Sequence, residues 1–180
     1  MKNQYFGDIG DYGKYGLLRF LTENGVKIAV NWYLTVNDGS GDGKHISYLK
    51  KQDWRARECD PELFDVLNEM VSAGQRNVPA FESKSMIVGA KYYHDLLDYT
   101  GMKSPKEKKA FRAEWHTKAL QACKDADLVF LDPDNGLMPQ EKTSPSTGLK
   151  YAFAEEAADY YRAGQNVVYY CQQGRRPWDE

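Results

Sequence analysis

The sequence predicts an α/β fold in which helices flank a mostly parallel central sheet. Apolar stretches rich in β-forming residues lie at 27–35, 128–131 and 166–171, and amphipathic helical stretches separate them. Strands that alternate with helices are joined by crossovers, and crossovers make neighbouring strands parallel. A chain of 180 residues has the length of one domain. We therefore expect a single Rossmann-like domain with three layers over residues 1–180.

Four helices are predicted from apolar periodicity and from the residues at their ends, at 15–21, 61–73, 105–124 and 151–163. Asp60 before Pro61 and Ser104 before Pro105 are typical of a first helical turn. The residues expected to face inward are Leu63, Phe64, Leu67 and Met70 in the second helix, and Phe111, Trp115 and Leu120 in the third.

The remaining segments complete the predicted order of elements. A short strand is expected at 85–90, and 45–50 fits either a short strand or the start of a helix. The chain ends nine residues after Cys171, where a doubly wound sheet usually continues. We expect either a minimal version of the fold or a C-terminal part missing from this chain.

Composition and charge narrow the functional class. The formal net charge of -2 argues against a broad nucleic-acid-binding face, although it leaves a local basic groove open. Three cysteines without metal or C-x-x-C spacing predict reduced thiols in a cytoplasmic protein. The polar N-terminus argues against secretion, and the lack of an apolar run of about 20 residues argues against a membrane span.

The acidic turn, Asp132-Pro133-Asp134-Asn135, is the most informative chemical feature. It follows a buried-strand pattern directly, and open α/β sheets bind ligands beyond the carboxyl ends of their strands. Proline ends the strand, and asparagine with Gly136 permits a tight turn. A solvated turn is the structural alternative. We expect a ligand, metal or proton-transfer role, with Asp132, Asp134 and Asn135 as catalytic candidates.

A glycine-rich motif at 5–15 precedes the first helix. The N-terminus of this helix can bind an anion through its free N–H groups. Asp8 and Asp11 are the cofactor-binding candidates of this motif, and Lys14 is a catalytic candidate that would contact a phosphate or carboxylate. Capping of the helix by Asp11 is an equally weighted alternative.

The loop at 37–45 supplies the other candidates. Its glycines would let the backbone approach a cofactor closely, and its imidazole would shuttle a proton or contact the ligand, although such a histidine is more often structural or exposed. The candidates are Asp38, Gly39, Gly41, Gly43 and His45. If this loop lies beside the acidic turn, six aspartates share one rim and suit a hydroxyl-binding pocket or a Mg²⁺ ion. They are Asp8, Asp11, Asp38, Asp42, Asp132 and Asp134. Two arginines in the segment 172–176 would clamp a phosphate, or they belong to a charged terminus.

Three segments together resemble a family of bacterial and phage proteins that has no settled activity. They are 7–19, then 32–34 with 42–49, and 129–137. The resemblance covers most of the chain and implies no particular chemistry.

More distantly, the order of parts is similar to S-adenosylmethionine-dependent methyltransferases that act on adenine in nucleic acid, above all the ribosomal RNA adenine-N6 type. Segment 7–15 resembles their Gly-Asn/His-x-x-Asp-x-x-Lys-His motif, and 27–43 resembles their first strand and cofactor loop. The acidic turn stands where they carry Asp-Pro-Pro-Tyr after the fourth strand. The resemblance implies S-adenosylmethionine as cofactor, a nucleic-acid or nucleotide substrate and Asp132 as the residue that orients the acceptor.

The acidic turn also departs from that motif, since Asp134 replaces the second proline and Asn135 replaces the aromatic residue that stacks on a flipped base. Two alternatives therefore stay open. One is a Mg²⁺-dependent nuclease or phosphodiester hydrolase that uses Asp132 and Asp134, with Asp8 or Asp11 as further ligands and Lys14 or His45 at the phosphate. The other is a non-catalytic binding module.

Overall fold

The structure is a computed structural model that describes residues 1–41, 43–50, 54–139 and 148–171. The chain separates into two units. The first unit contains Met1, Ala29–Thr35 and the described residues of Lys91–Glu180, and the second contains Lys2–Ile28 and the described residues of Val36–Ala90. The expectation of one domain stays a prediction.

A parallel sheet forms the centre of the first unit, and its four strands in the described ranges lie in the order β2-β1-β3-β4. The strands are β1 (Ile28–Asn31), β2 (Lys91–Tyr93), β3 (Leu128–Leu131) and β4 (Asn166–Tyr169). Ala29 lies opposite Lys91, and Val129 lies opposite Val167. This confirms the predicted α/β fold with a parallel, Rossmann-like sheet.

The strand order reverses between β1 and β3. From β1 the chain moves outward to β2, then returns past β1 to β3 and continues to β4. In open α/β sheets the ligand binds beyond the carboxyl ends of the strands, at the point where the order reverses. The residues that follow β1 and β3 therefore occupy the position at which this fold binds ligands.

In its described part, the first unit also contains two α-helices, α6 (Pro105–Cys123) and α7 (Ala154–Arg162). Helix α6 contacts β2 and α7, and α7 contacts β4. Helix α6 begins with a capping box, because the Ser104 hydroxyl accepts from the Glu107 N–H and the Glu107 carboxylate accepts from the Ser104 N–H. Trp115 lies in the core as predicted, and Phe111 and Leu120 pack against it partly buried.

The second unit is helical in its described part. Its helices are α1 (Ile9–Glu23), α2 (Ser47–Lys50), α3 (Trp54–Cys59), α4 (Pro61–Ser72) and α5 (Val78–Ser83). Asp60 caps α4 as predicted, since its carboxylate accepts from the Leu63 N–H at 3.1 Å. The predicted inward stripe of α4 is buried throughout. Aromatic rings add to this core, and the rings of Tyr15 and Phe81 stack at 4.3 Å.

Two predicted segments differ in the structure. The strand expected at 85–90 is wrong, because Ser85 (φ 54°) and Gly89 (φ 70°) adopt left-handed conformations that an extended chain cannot contain. Strand β2 instead begins at Lys91, directly after the end of the predicted strand. The ambiguous segment 45–50 contains helix α2. Among the described helices, none combines the length and apolarity needed to cross a bilayer.

Candidate functional site

The acidic turn lies directly beyond the carboxyl end of β3, as predicted. The Asp132 N–H donates to the Asn31 carbonyl at 2.9 Å, which joins the ends of β3 and β1. Asp132 is 1% exposed and Asp134 is 7% exposed, so the interpretation as a solvated turn is wrong. Gly136 (φ 80°) completes the turn, and a Cβ there would lie 2.7 Å from the Cys171 Sγ. The Asn135 residue is exposed, and its N–H donates to the Lys150 carbonyl at 2.8 Å.

The end of β1 faces the same edge of the sheet. Asn31 is fully buried, its Oδ1 accepts from the Tyr33 N–H at 3.2 Å and its Nδ2 donates to the Tyr160 hydroxyl at 3.0 Å. Tyr33 is also fully buried and has a φ of 46°. A bulky residue in this region is an uncommon, strained conformation, and such conformations cluster at functional sites.

Three oxygen atoms from these two strand ends surround one positive charge, the α-ammonium group of Met1. Its nitrogen lies 2.8 Å from the Asp134 Oδ1, 2.8 Å from the Asp132 carbonyl oxygen and 3.1 Å from the Tyr33 carbonyl oxygen. We call these three acceptors the switch-point site. Two carbonyl dipoles and a carboxylate stabilise a cation, and the three N–H donors of an ammonium group match three acceptors.

A buried charge network supports Tyr33 from inside the first unit. The Tyr33 hydroxyl donates to the Glu156 Oε2 at 3.1 Å, and Glu156 receives two hydrogen bonds from Arg112, at 2.6 and 2.8 Å. Arg112 also donates to the Gly148 and Tyr151 carbonyls. Burial opposes the charge on Arg112, but the hydrogen bond and negative charge of Glu156 raise the Arg112 pKa.

Burial, together with the charge of Glu156, raises the pKa of Tyr33 well above its usual value. The phenol is therefore neutral at physiological pH and acts as a fixed hydrogen-bond donor. Tyr33, whose carbonyl is one acceptor of the switch-point site, is held at both its backbone N–H and its side-chain hydroxyl.

In the second unit, the candidates at the start of α1 bind one another. Asp8 caps α1, because its carboxylate accepts from the Asp11 N–H at 3.0 Å. The expectation that Asp11 is the cap is wrong, since α1 begins at Ile9 and places Asp11 inside the helix. The Asp11 carboxylate accepts from the Gly7 N–H at 3.0 Å and pairs with the Lys14 Nζ at 2.7 Å. Both carboxylates thus have structural roles.

The loop at 37–45 packs along the N-terminal segment of the same unit. The Asp38 carboxylate accepts hydrogen bonds from Lys2, Gln4 and the Ser40 N–H, and the bond from Lys2 contributes most to holding the Asp38 pKa well below its usual value. The His45 carbonyl accepts from the Ile9 N–H at 3.1 Å, and the His45 residue is exposed.

Gly43 lies close to the backbone of the N-terminal segment, because a Cβ there would overlap the Gln4 carbonyl oxygen. Gly39 and Gly41 are exposed.

The structure therefore gathers the candidates into two sets. The first unit holds Asp132, Asp134 and Asn135, and the second holds Asp8, Asp11, Lys14, Asp38, Gly39, Gly41, Gly43 and His45. The shared rim of six aspartates stays a prediction. Asp42 and the segment 172–176 lie outside the described residues. Within the described ranges, no three His, Cys, Asp or Glu side chains are arranged to hold a metal ion.

Sequence reasoning missed Asn31 and Tyr33. The available signal was an asparagine that ends the apolar run of β1, since a polar side chain in a fully buried strand needs a specific partner.

Comparison with protein-family models, curated proteins and solved structures finds no match for this chain.

Proposed function

We propose that this chain is a methyltransferase-like enzyme that binds S-adenosylmethionine and acts on a nucleic acid or a nucleotide. The main support is the position of the buried acidic turn, which follows β3 and lies beside the end of β1, where the strand order reverses. The resemblance of this turn to the Asp-Pro-Pro-Tyr motif adds the expected cofactor and substrate class.

The chemistry of the first unit agrees with a positively charged cofactor. S-Adenosylmethionine would supply an electrophilic methyl group on a sulfonium, and it carries an α-ammonium group as well. The Asp134 carboxylate and the carbonyls of Tyr33 and Asp132 favour cations at this edge of the sheet. Methyl transfer depends mostly on positioning and exclusion of water, and we assign to the buried Asp132 carboxylate the orientation of the acceptor.

Thermal melting during a titration with S-adenosylmethionine tests the proposal. A ligand that binds the folded chain stabilises it by about 2.7 kcal/mol at one hundred times its dissociation constant, which raises the melting temperature by roughly 5–11 °C for a chain of this size. We expect Asp132→Asn to abolish this response. The matched control is Asp65→Asn, which removes an exposed carboxylate and should respond like the unmodified chain.

A magnesium-dependent hydrolase is the second candidate, because two buried carboxylates on one turn offer the oxygen ligands that Mg²⁺ prefers. Stabilisation by Mg²⁺ or Mn²⁺ that is lost in Asp132→Asn, with no response to the sulfonium compound, would favour it. A chain that responds to neither probe would be better described as a non-catalytic binding module.

A further inference from the structure

Four lysines surround the start of helix α6 in the first unit. We call this cluster the lysine end of α6, and its members are Lys103, Lys106, Lys108 and Lys109. Lys108 is half-buried and the other three are exposed. Glu107 is the only acidic residue between positions 99 and 113, and its carboxylate already accepts from the backbone N–H groups of Lys103 and Ser104 at 2.8 Å each. The lysine end is therefore a local patch of positive charge.

These ammonium groups differ from other lysines of the same unit. Lys91 pairs with Asp125 at 2.6 Å and Lys118 pairs with Glu114 at 2.8 Å, whereas no carboxylate among the described residues pairs with the lysine end. The start of a helix carries a partial positive charge, so cations there lower its stability, and like charges three positions apart on a helix repel each other. Departures of this kind from local stability occur mainly at functional sites.

Helix α6 places its lysine end at the edge of the sheet where this fold binds ligands. The Tyr93 hydroxyl donates to the Trp115 carbonyl at 3.0 Å, so Trp115 lies level with the carboxyl end of β2. At the other end of the helix, the Cys123 carbonyl accepts from Gln165, the residue before β4. The segment from Lys106 to Trp115 therefore extends about 14 Å from the end of β2, away from the amino ends of the strands.

One segment of the chain joins this part of α6 to the acidic turn. Arg112 donates to the Gly148 carbonyl at 3.0 Å and to the Tyr151 carbonyl at 2.7 Å. Between these two residues, the Lys150 carbonyl accepts from the Asn135 N–H at 2.8 Å. The same short segment thus contacts α6 and the acidic turn, so a long ligand that binds the lysine end has the acidic turn close by.

We propose that the lysine end of α6 binds the phosphate backbone of a nucleic acid and thereby directs a nucleotide of the bound strand to the acidic turn. This inference rests on the proposed function for the chemistry at the turn, and it selects a nucleic acid over a free nucleotide as the substrate. Several separate ammonium groups match the repeated phosphates of a polymer, and each contact releases a counterion. Such contacts position a strand without reading its sequence.

Fluorescence anisotropy without S-adenosylmethionine tests the inference. The probes are fluorescein-labelled single-stranded DNA of about 20 nucleotides, RNA of the same sequence and the corresponding DNA duplex, in 50 to 200 mM NaCl. The test variant carries Lys106→Gln with Lys109→Gln. The matched control carries Lys91→Gln with Lys118→Gln, which removes the same net charge from exposed lysines of the same unit.

We expect the test variant to bind the preferred probe about tenfold more weakly at 50 mM NaCl. The slope of log affinity against log salt concentration should become less steep by about 1.4 for a single strand or 1.8 for a duplex, because two phosphate contacts are lost. The control should keep the slope of the unmodified chain. Failure of the unmodified chain to bind any of the three probes at 50 mM NaCl, or equal losses in the two variants, would overturn the inference.

Thermal melting of the same variants separates binding from folding. Glutamine and lysine have similar helix propensities, and removal of cations from the start of α6 should leave the melting temperature unchanged or slightly higher. A fall larger than that of the control would contradict the inference, because the lysines would then serve the fold.

The proposed function and this inference can fail separately. If the chain binds nucleic acid through the lysine end but does not respond to S-adenosylmethionine, the methyltransferase proposal fails and the inference stands. If S-adenosylmethionine stabilises the chain while the test variant binds nucleic acid as well as the control, the inference fails and the proposed function stands.

Discussion

Arg112 and Glu156 form an ion pair inside the first unit, and both side chains are less than one-tenth exposed. Glu156 also accepts from the Tyr33 hydroxyl, and Arg112 lies over the Phe153 ring at 4.3 Å. The guanidinium group therefore neutralises the carboxylate that anchors Tyr33. The pair links α6 and α7 to Tyr33, two residues beyond the end of β1.

Arg112→Ala should destabilise the chain by about 3–5 kcal/mol, because it leaves Glu156 charged and buried without its cation. For a chain of this size, that loss lowers the melting temperature by roughly 6–20 °C. Urea or thermal unfolding followed by circular dichroism measures the change.

The control for this substitution is Arg162→Ala, which removes an exposed arginine that pairs with Glu155 and Asp159. Exposed pairs contribute about 1 kcal/mol or less. Similar losses for the two variants would show that the Arg112 pair has no special role in stability.

At the level of elements, the starts of α4 and α6 were the most predictable feature, whereas the start of the first helix, predicted at residue 15, lies at Ile9. Asp60 and Ser104 bind the N–H groups of their own first turns, so the relevant contacts are local in sequence. Strand β3 was also predictable, because its apolar run ends abruptly at Asp132. The helix α5 was missed, since it is short and carries a weak periodic signal.

The end of β1 was not predictable to the same degree. The sequence predicts a strand to residue 35, yet β1 ends at Asn31. The left-handed Tyr33 depends on the Asn31 side chain and on Glu156, which is 123 positions away in the chain. Long-range partners of this kind leave no periodic pattern, and for the same reason the sequence could not reveal Met1 beside Asp134.

Two glycines of the loop at 37–45 give a matched test of the packing in the second unit. Both have positive φ, but a Cβ at Gly43 would overlap the Gln4 carbonyl oxygen, whereas a Cβ at Gly39 would meet nothing within 4 Å. We expect Gly39→Ala to cost about 1 kcal/mol through backbone strain and Gly43→Ala to cost about 3 kcal/mol through strain and steric overlap. Urea unfolding of both variants measures the difference, and equal losses would contradict the close approach.

For the whole molecule, several buried acids should keep their protons well into the alkaline range. Burial raises the pKa of the Cys123 thiol to about 11, from 9.0. Burial is also the largest cause of raised pKa values in a set of tyrosines, namely Tyr12, Tyr33, Tyr48, Tyr93 and Tyr160. Because the pKa values of these groups are higher in the folded chain than in the unfolded chain, the free energy of unfolding depends on pH above about 9.

The sign of this coupling follows from proton binding. Between pH 9 and 11 the unfolded chain has already released the Cys123 proton, while the folded chain retains it. The folded state then binds more protons, so stability falls as the pH rises, by about 2 kcal/mol across that window from this thiol. Melting temperatures recorded from pH 7 to 11 should be flat at first and then decline.

Cys123→Ala is the control for the pH dependence. It removes the decline that begins near pH 9 and leaves the later decline that comes from the tyrosines. A variant whose melting temperature falls with the same profile as the unmodified chain would show that the thiol does not contribute.

The buried ammonium of Met1 has a practical consequence for anyone who purifies this protein. Any segment joined in front of Met1, an affinity tag included, would replace that ammonium group with a neutral amide, so tagged and untagged samples would present chemically different surroundings to Asp134. A compound library should be screened against both forms, because a hit seen with one preparation alone would be informative rather than irreproducible.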